Sequence, residues 1–318
     1  MIRPLLAAAA VFALLAAACA SEGGDDPLES GASSPTAPSG TACAPARTRA
    51  TGDSGETMTS GGADREYLLH VPTDYDGAIA APVLLALHGA ASTGEALRNM
   101  SGLDVAADAR GMIVAYPESA TVGNAAGWNA DNFADGPDDS LFLSELLDAL
   151  GATLCIDATR VYVTGLSHGG AMALRFACDA PKRIAAVAPV AAPYVACQAA
   201  VPMVAFHGSQ DPLVPYEGGT SPLTGQPSPP VHRAASDWAR SLGCDGLATI
   251  SRPAADVELA TYGNCTGGGA EVLLYNAIDG GHTWPGATVD VPEEIAGKTT
   301  RSISATDLML DFFDAADR

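Results

Sequence analysis

The sequence predicts a single doubly wound α/β domain, one mostly parallel sheet with helices on both faces. Three observations lead there. From Cys43 onward, short apolar runs of strand type alternate with helical runs in one unbroken series. Several strand runs are continuously apolar rather than alternating, as expected for strands buried on both faces of a parallel sheet. One of them, Val161–Thr164, leads through Gly165-Leu166-Ser167-His168-Gly169 into an Ala-, Met- and Leu-rich helical run, giving strand, tight turn and helix in succession. No internal repeat or second domain interrupts the series.

Composition sets the outer bounds. With 318 residues, 47% of them hydrophobic, the chain can bury a large core. Its formal net charge of −21 argues against nucleic acid as a partner, because phosphate binding needs a basic face that displaces counterions. The same charge argues against electrostatic attachment to anionic lipid.

Taken in order, residues 1–20 read as a signal peptide. Arg3 precedes the apolar stretch Leu5–Ala18, which is too short to span a bilayer comfortably and matches a signal h-region. Ala16-Ala17-Ala18-Cys19 resembles a lipoprotein box, whereas Ala18-Cys19-Ala20 fits an ordinary A-x-A cleavage site. The first is preferred, with Cys19 as the lipid anchor, so the product is expected to be secreted or lipid-anchored at the outer face of a bacterial cell envelope. Residues 21–42 form a flexible Gly/Ser/Pro linker, and 43–318 the catalytic domain.

Cysteine usage agrees with export. Of seven cysteines, Cys19 leaves with the signal or carries lipid, and six remain: Cys43, Cys155, Cys178, Cys197, Cys244 and Cys265. Without C-x-x-C or His-containing metal spacing, disulfides are expected rather than a metal site. Six cysteines allow fifteen pairings. Proximity suggests Cys178 with Cys197 and Cys244 with Cys265, leaving Cys43 to clip the start of the domain to Cys155.

Candidate strands are Glu66–Val71, Val83–Leu87, Met112–Tyr116, Val161–Thr164, Ala185–Val190, Met203–Phe206 and Glu271–Tyr275. Candidate helices are Leu141–Leu150, the run after Ser167, Val231–Leu242 and Thr306–Ala315. Asp138 and Asp139 read as helix-start carboxylates favoured by the positive end of the dipole, and Ser304 precedes Asp307 as in a capping box.

Chemistry in such a sheet sits at the carboxyl ends of the strands. Ser167 occupies a Gly-x-Ser-x-Gly turn that can hold its hydroxyl out of the sheet top. A serine hydroxyl is a poor nucleophile and needs a base oriented by an acid. With the order serine, acid, histidine, only His168, His207, His232 and His282 qualify as the base. His168 adjoins the nucleophile, His207 reads as structural before Gly208, and His232 lies on an amphipathic helix. His282, after Gly280-Gly281 in the loop beyond the last strand, is the expected base. Asp211, in the turn after Met203–Phe206, is the expected acid, with Glu217 as the alternative. Oxyanion donors are expected from the His168 N–H and from Gly89 or Ala90 after Leu87. Trp128 and Trp284 read either as substrate-pocket walls or as core.

The ordered set of LHGAAST from Leu87, CID from Cys155, RVYVTGLSHGGAMA from Arg160, AAVAPVAAP from Ala185, HGSQDPLVPYEGG from His207 and GGHTWPG from Gly280 resembles the extracellular polyhydroxybutyrate depolymerase and feruloyl esterase group of the α/β-hydrolases. The likeness runs from about Cys43 to the last helix. It implies the α/β-hydrolase fold, a Ser167–Asp211–His282 triad, the cysteine pairs named above, and no cofactor or metal. The loop HGAAST departs from the group in lacking its bulky or glutamine-containing segment. The expected activity is hydrolysis of carboxylic esters, such as hydroxyalkanoate oligomers or feruloylated or acetylated saccharides, by a monomer. Acyl transfer on the same fold, peptide hydrolysis and a non-catalytic surface-binding lipoprotein are the alternatives.

Overall fold

The apolar runs do assemble into one sheet. In the computed structural model the residues described are 41–122, 125–131, 136–197, 201–220, 227–266 and 271–316; the signal peptide, Cys19 and nearly all of the linker lie outside them. Residues Gly40–Arg318 fall in one compact unit.

Ten strands form the main sheet: β1 (Gly52–Ser60), β2 (Ala63–Val71), β3 (Ala81–Leu87), β4 (Ile113–Pro117), β7 (Ile156–Leu166), β8 (Ala186–Val190), β9 (Met203–Gly208), β12 (Thr249–Ala254), β13 (Val257–Tyr262) and β14 (Val272–Ala277). Two short pairs stand apart, β5 (Thr121–Val122) with β6 (Ala125–Ala126) and β10 (Gly219–Thr220) with β11 (Pro227–Ser228). The order is β1-β2-β4-β3-β7-β8-β9-β14-β13-β12. The six strands from β4 to β14 are mutually parallel, and an antiparallel pair closes each edge. Helices α1 (Gly94–Ser101), α2 (Leu103–Asp108), α3 (Asp139–Thr153), α4 (His168–Asp179), α5 (Val231–Ser241), α6 (Glu293–Ala296) and α7 (Ala305–Ala315) connect or cover them.

Period-two alternation divides the strands between two cores. In β3, Val83, Leu85 and Leu87 pack with α3, α4 and α5, whereas Leu84 and Ala86 pack with α1, α2 and α7. All seven residues of β3 are buried, which is why its sequence shows no polar alternation. Tyr162 of β7 stacks on Phe313 of α7 with centroids 4.5 Å apart, tying the centre of the sheet to the last helix.

Caps agree with the sequence. Asp138 caps α3 by accepting from the Leu141 N–H at 2.8 Å, and Ser304 caps α7 by accepting from Asp307 N–H at 3.1 Å. Asp139 is the first residue of α3, in keeping with its helix-start reading, and makes further contacts. Its side chain turns inward to Arg65 of β2 at 2.8 Å and accepts from the Asn129 N–H at 2.7 Å, while Arg65 lies over the Phe142 ring. Disulfides join Cys43–Cys155, Cys178–Cys197 and Cys244–Cys265.

Register aligns the carboxyl ends of the strands. Leu87 pairs with Gly165, Leu166 with Val190, Val190 with Phe206, and His207 with Asn276. The loops after β3, β7, β9 and β14 therefore emerge along one edge.

At the opposite end of β2 lies a polar cluster. His70, buried, has Asp53 on Nδ1 at 2.7 Å and Asp108 on Nε2 at 3.0 Å, with Asp104 3.8 Å from Nδ1. Arg98 bonds both Asp53 and Asp104, and Tyr116 donates to Asp104 at 2.6 Å. Burial alone would push the His70 pKa down, but the hydrogen bonds and charges of Asp53, Asp104 and Asp108 outweigh it and hold the value above normal. A raised folded pKa stabilises fully below the unfolded value near 6.5, and that contribution is lost as pH rises through the folded value. His70→Gln should therefore lower the melting temperature clearly at about pH 5.5, with the gap closing by about pH 9. Melting curves of both proteins across that range check the sign.

Candidate active site

The turn after β7 is built around backbone too crowded for side chains. A Cβ at Gly165 would lie 2.4 Å from the Gly169 carbonyl carbon, and one at Gly169 only 2.1 Å from the Leu87 carbonyl oxygen. Between them Ser167 sits at φ 56° and ψ −119°, a strained conformation for a residue with a Cβ. The strain is held because the Ser167 N–H donates to the Val190 carbonyl at 2.8 Å and its own carbonyl accepts from Ala171 at 3.0 Å. Ser167 thus opens α4.

His168 is the first residue of α4, so its N–H has no intrahelical acceptor, and none is found among the described residues. Its ring lies beside Gly127, where an added Cβ would stand 3.4 Å from Nδ1, and burial lowers its pKa. Across from the turn is the loop that follows β3. Gly89 sits so close that a Cβ there would be 3.6 Å from the Ser167 Cβ, and Ala90 follows at the surface.

Asp211 lies in the turn after β9, buried, with Oδ1 accepting from the N–H groups of Leu213 at 2.8 Å and Val214 at 2.7 Å. Its Oδ2 faces His282 Nδ1 at 2.8 Å. With the proton on Nδ1, this contact leaves His282 Nε2 as an acceptor, and it has no partner among the described residues. The two residues are 71 apart in sequence. They meet because Gly208, at the end of β9, packs directly on the Gly280 and Gly281 carbonyl oxygens, each 2.3 Å from where its Cβ would be. The histidine loop is fixed from its other side by Gly281 N–H to the Lys298 carbonyl at 2.8 Å and His282 N–H to the Ala296 carbonyl at 2.5 Å.

The other candidates fall elsewhere. Glu217 is exposed. His207 is buried, donates from Nε2 to the Val214 carbonyl at 2.8 Å and lies 3.4 Å from Asp211 Oδ2, with a pKa lowered by burial. It staples the turn that carries Asp211. His232 is exposed on α5, near the Tyr216 ring.

Of the two readings open for Trp128 and Trp284, pocket wall or core, the side-chain burial fits the core for both. Trp284 is 0% exposed, packs with α7 residues and donates from Nε1 to Thr306 at 3.0 Å. Trp128 is 3% exposed and donates from Nε1 to the His88 carbonyl at 2.8 Å. Neither has ring surface to offer a ligand. The third tryptophan, Trp238, is just as buried at 2% exposed and donates from Nε1 to the Val201 carbonyl at 2.8 Å; only an edge of it borders a mainly apolar cavity between α4, α5, β8 and β9. Nothing in the local pattern of Trp238 marks it out, since it sits on an ordinary amphipathic helix.

Comparison with known proteins gives one answer. The Esterase family model, described as "Putative esterase", matches residues 59–244, which takes in Ser167 and Asp211 and ends before His282. "Putative esterase NocK" of Nocardia uniformis subsp. tsuyamanensis is 32% identical over 337 residues, spanning 95% of this chain and 96% of that protein. Feruloyl esterase B of Piromyces equi is 30% identical over 231 residues, 69% of this chain but only 42% of the relative. Among solved structures, an acetyl xylan esterase from Aspergillus awamori superposes with a TM-score of 0.58 at 16% identity, over 82% of this chain and 99% of that one. An S-formylglutathione hydrolase from Agrobacterium tumefaciens gives 0.54 at 12% identity, over 85% and 98%. These two likenesses show the shared α/β-hydrolase fold.

The crowding at the turn makes a sharp prediction. Gly169→Ala should fail to give soluble folded protein, because its Cβ meets backbone that cannot yield and the cost exceeds the ~1–3 kcal/mol of ordinary overpacking. Gly89→Ala, whose Cβ meets nothing nearer than 3.5 Å, should fold like the parent. Soluble yield and circular dichroism of the two variants make the comparison.

Proposed function

This chain belongs to the Esterase family, in the feruloyl-esterase-like group of the α/β-hydrolases, and is a carboxylic-ester hydrolase; we propose that it works through a Ser167–His282–Asp211 triad on acetylated or feruloylated saccharides. The observation that carries the reading is the 2.8 Å contact between His282 Nδ1 and Asp211 Oδ2, which leaves Nε2 as base at the strand edge where Ser167 is strained outward.

In the first half-reaction the Ser167 Oγ attacks the ester carbonyl carbon and its proton passes to His282 Nε2. The carbonyl oxygen takes up the negative charge and is held by the N–H groups of His168 and of Gly89 or Ala90. The alkoxide leaves with the proton from His282, and Ser167 keeps the acyl group. Water then repeats the sequence, His282 taking its proton, and the free acid departs as Ser167 recovers its own. Asp211 holds the imidazole in the Nδ1–H tautomer and offsets the charge of the imidazolium. No metal or cofactor enters these steps.

The names of relatives, a feruloyl esterase and a bifunctional acetylxylan esterase/xylanase, support the saccharide ester. Export, with residues 1–20 as signal and Cys19 as lipid anchor, is part of the same proposal. Its support is three disulfides, which persist in oxidising compartments.

The test is hydrolysis of p-nitrophenyl acetate, methyl ferulate, acetylated xylan and soluble hydroxybutyrate oligomers by the oxidised domain. Cleavage of any of them by the parent, with Ser167→Ala or His282→Ala slower by about 10⁴–10⁶ in kcat, is the expected result. Asp211→Asn should cost about 10⁴, through the wrong tautomer. A preference for hydroxybutyrate oligomers would redirect the substrate class, and a parent inert on the whole panel would sink the reading.

A further inference from the structure

The loop after β3 is held by two side chains, and each fixes the orientation of one peptide plane. The His88 carbonyl accepts the Trp128 indole N–H at 2.8 Å. The Gly89 carbonyl accepts the Ser92 N–H at 3.3 Å and lies 2.8 Å from His88 Nδ1. Nδ1 faces the Gly89 carbonyl oxygen, which can only accept, so it carries the proton and donates there; Nε2 accepts from the Ser119 N–H at 3.0 Å, with Glu118 Oε2 3.3 Å away. Burial keeps this fully enclosed imidazole neutral by lowering its pKa.

A trans peptide is planar, and its carbonyl and the N–H that follows point in opposite directions. With the His88 carbonyl turned to the indole, the Gly89 N–H points away from Trp128. With the Gly89 carbonyl turned to the imidazole, the Ala90 N–H points away from His88. Neither N–H has an acceptor among the described residues. Both are thus left unspent in the loop, and Gly89 stands beside Ser167.

The segment that supplies the indole touches the other donor as well. Gly127 packs on the His168 ring, Trp128 holds the His88 peptide, and the Asn129 N–H is tied to Asp139, itself paired with Arg65 inside the protein. Three consecutive residues thus bridge both sources of oxyanion donors, and their anchor is a buried ion pair. Apolar packing alone would not need the indole N–H to end on that one carbonyl.

We propose that Trp128 is a positioning residue for the oxyanion hole: its indole N–H, acting with His88, fixes the peptide planes whose N–H groups receive the developing negative charge. This rests on the serine-esterase mechanism proposed above.

The experiment compares the parent, Trp128→Phe and Ser167→Ala on p-nitrophenyl acetate, and measures inhibition by phenylboronic acid, whose adduct with a serine is a tetrahedral anion. Direct loss of one oxyanion donor costs about 10²–10³ in kcat. Loosening two donors through their anchor should lower kcat about 10- to 100-fold, with KM within about twofold and boronate affinity weakened by about the same factor as kcat. Should the Phe variant not fold, β-(3-benzothienyl)alanine at position 128 keeps the bicyclic ring, replaces N–H by sulfur and carries the same expectation. Unchanged kcat and boronate affinity in either folded variant would overturn the proposal and leave Trp128 as core packing. So would a raised KM at unchanged kcat, the mark of a pocket wall. Activity surviving in Ser167→Ala is a different failure, because it removes the underlying mechanism rather than the part assigned to Trp128.

Discussion

Everything at the carboxyl edge depends on one approach of backbone to backbone, the first turn of α4 against the end of β3. The Gly169 Cα lies so near the carbonyls of Leu87 and His88 that no side chain fits between them. That contact sets how far Ser167 stands from the loop after β3, and hence whether a carbonyl carbon on the hydroxyl can have its oxygen on that loop's amides. A displacement of about an ångström there is enough to cost rate, since hydrogen-bond stabilisation of a developing charge is confined to about 2.7–3.1 Å. The glycines of the turn are therefore a matter of distance as much as of conformational freedom.

Around this contact the protein places buried polar links rather than more apolar packing. His207 to the Val214 carbonyl, Trp128 to the His88 carbonyl, His88 to the Gly89 carbonyl and Asp139 to the Asn129 N–H all act on loops, whose backbones have no sheet ladder to hold them. Each is worth only about 0.5–1.5 kcal/mol net, somewhat more where a charge takes part, so stability alone is a weak reason for them. What they supply is direction. A hydrogen bond to a named carbonyl excludes the flipped peptide, which dispersion forces cannot do.

The interior of the sheet was legible because its strands are buried on both faces and so read as unbroken apolar runs. The edges were not. β1 reads GDSGETMTS, small and polar, and every second residue is only partly covered. β12 is almost wholly exposed and carries Arg252 and Pro253, features of an edge rather than of a strand one would pick from hydropathy. The short helices α1 and α2 bury only Leu97 and Leu103 among large side chains, too little for a periodic signal. Ser167, Asp211 and His282 stand out in the sequence as the candidate set because each follows a strand and their order is constrained. For Trp128 and Trp284 the choice between pocket wall and core stays open in the sequence, which gives a residue's place on the chain and not which side of a loop its ring turns to. Asp139 reads as a second helix-start carboxylate beside Asp138, and only the fold brings Arg65, 74 positions away, to its side.

The Cys43–Cys155 bridge has a bearing on this arrangement. It turns residues 43–155 into a covalent ring, and the parts of the site divide on it. Arg65, His88, Gly89, Ala90, Trp128 and Asp139 belong to the ring; Ser167, Asp211 and His282 belong to the chain that continues from it. The amides of the β3 loop and Ser167 thus sit on different topological pieces, joined where β3 pairs with β7 and where Gly169 meets Leu87 and His88. The bridge holds the ring closed but does not hold that seam shut. In the proposed mechanism turnover consequently reports on the seam itself: it ceases when the two pieces part, even while each keeps its own cross-links intact.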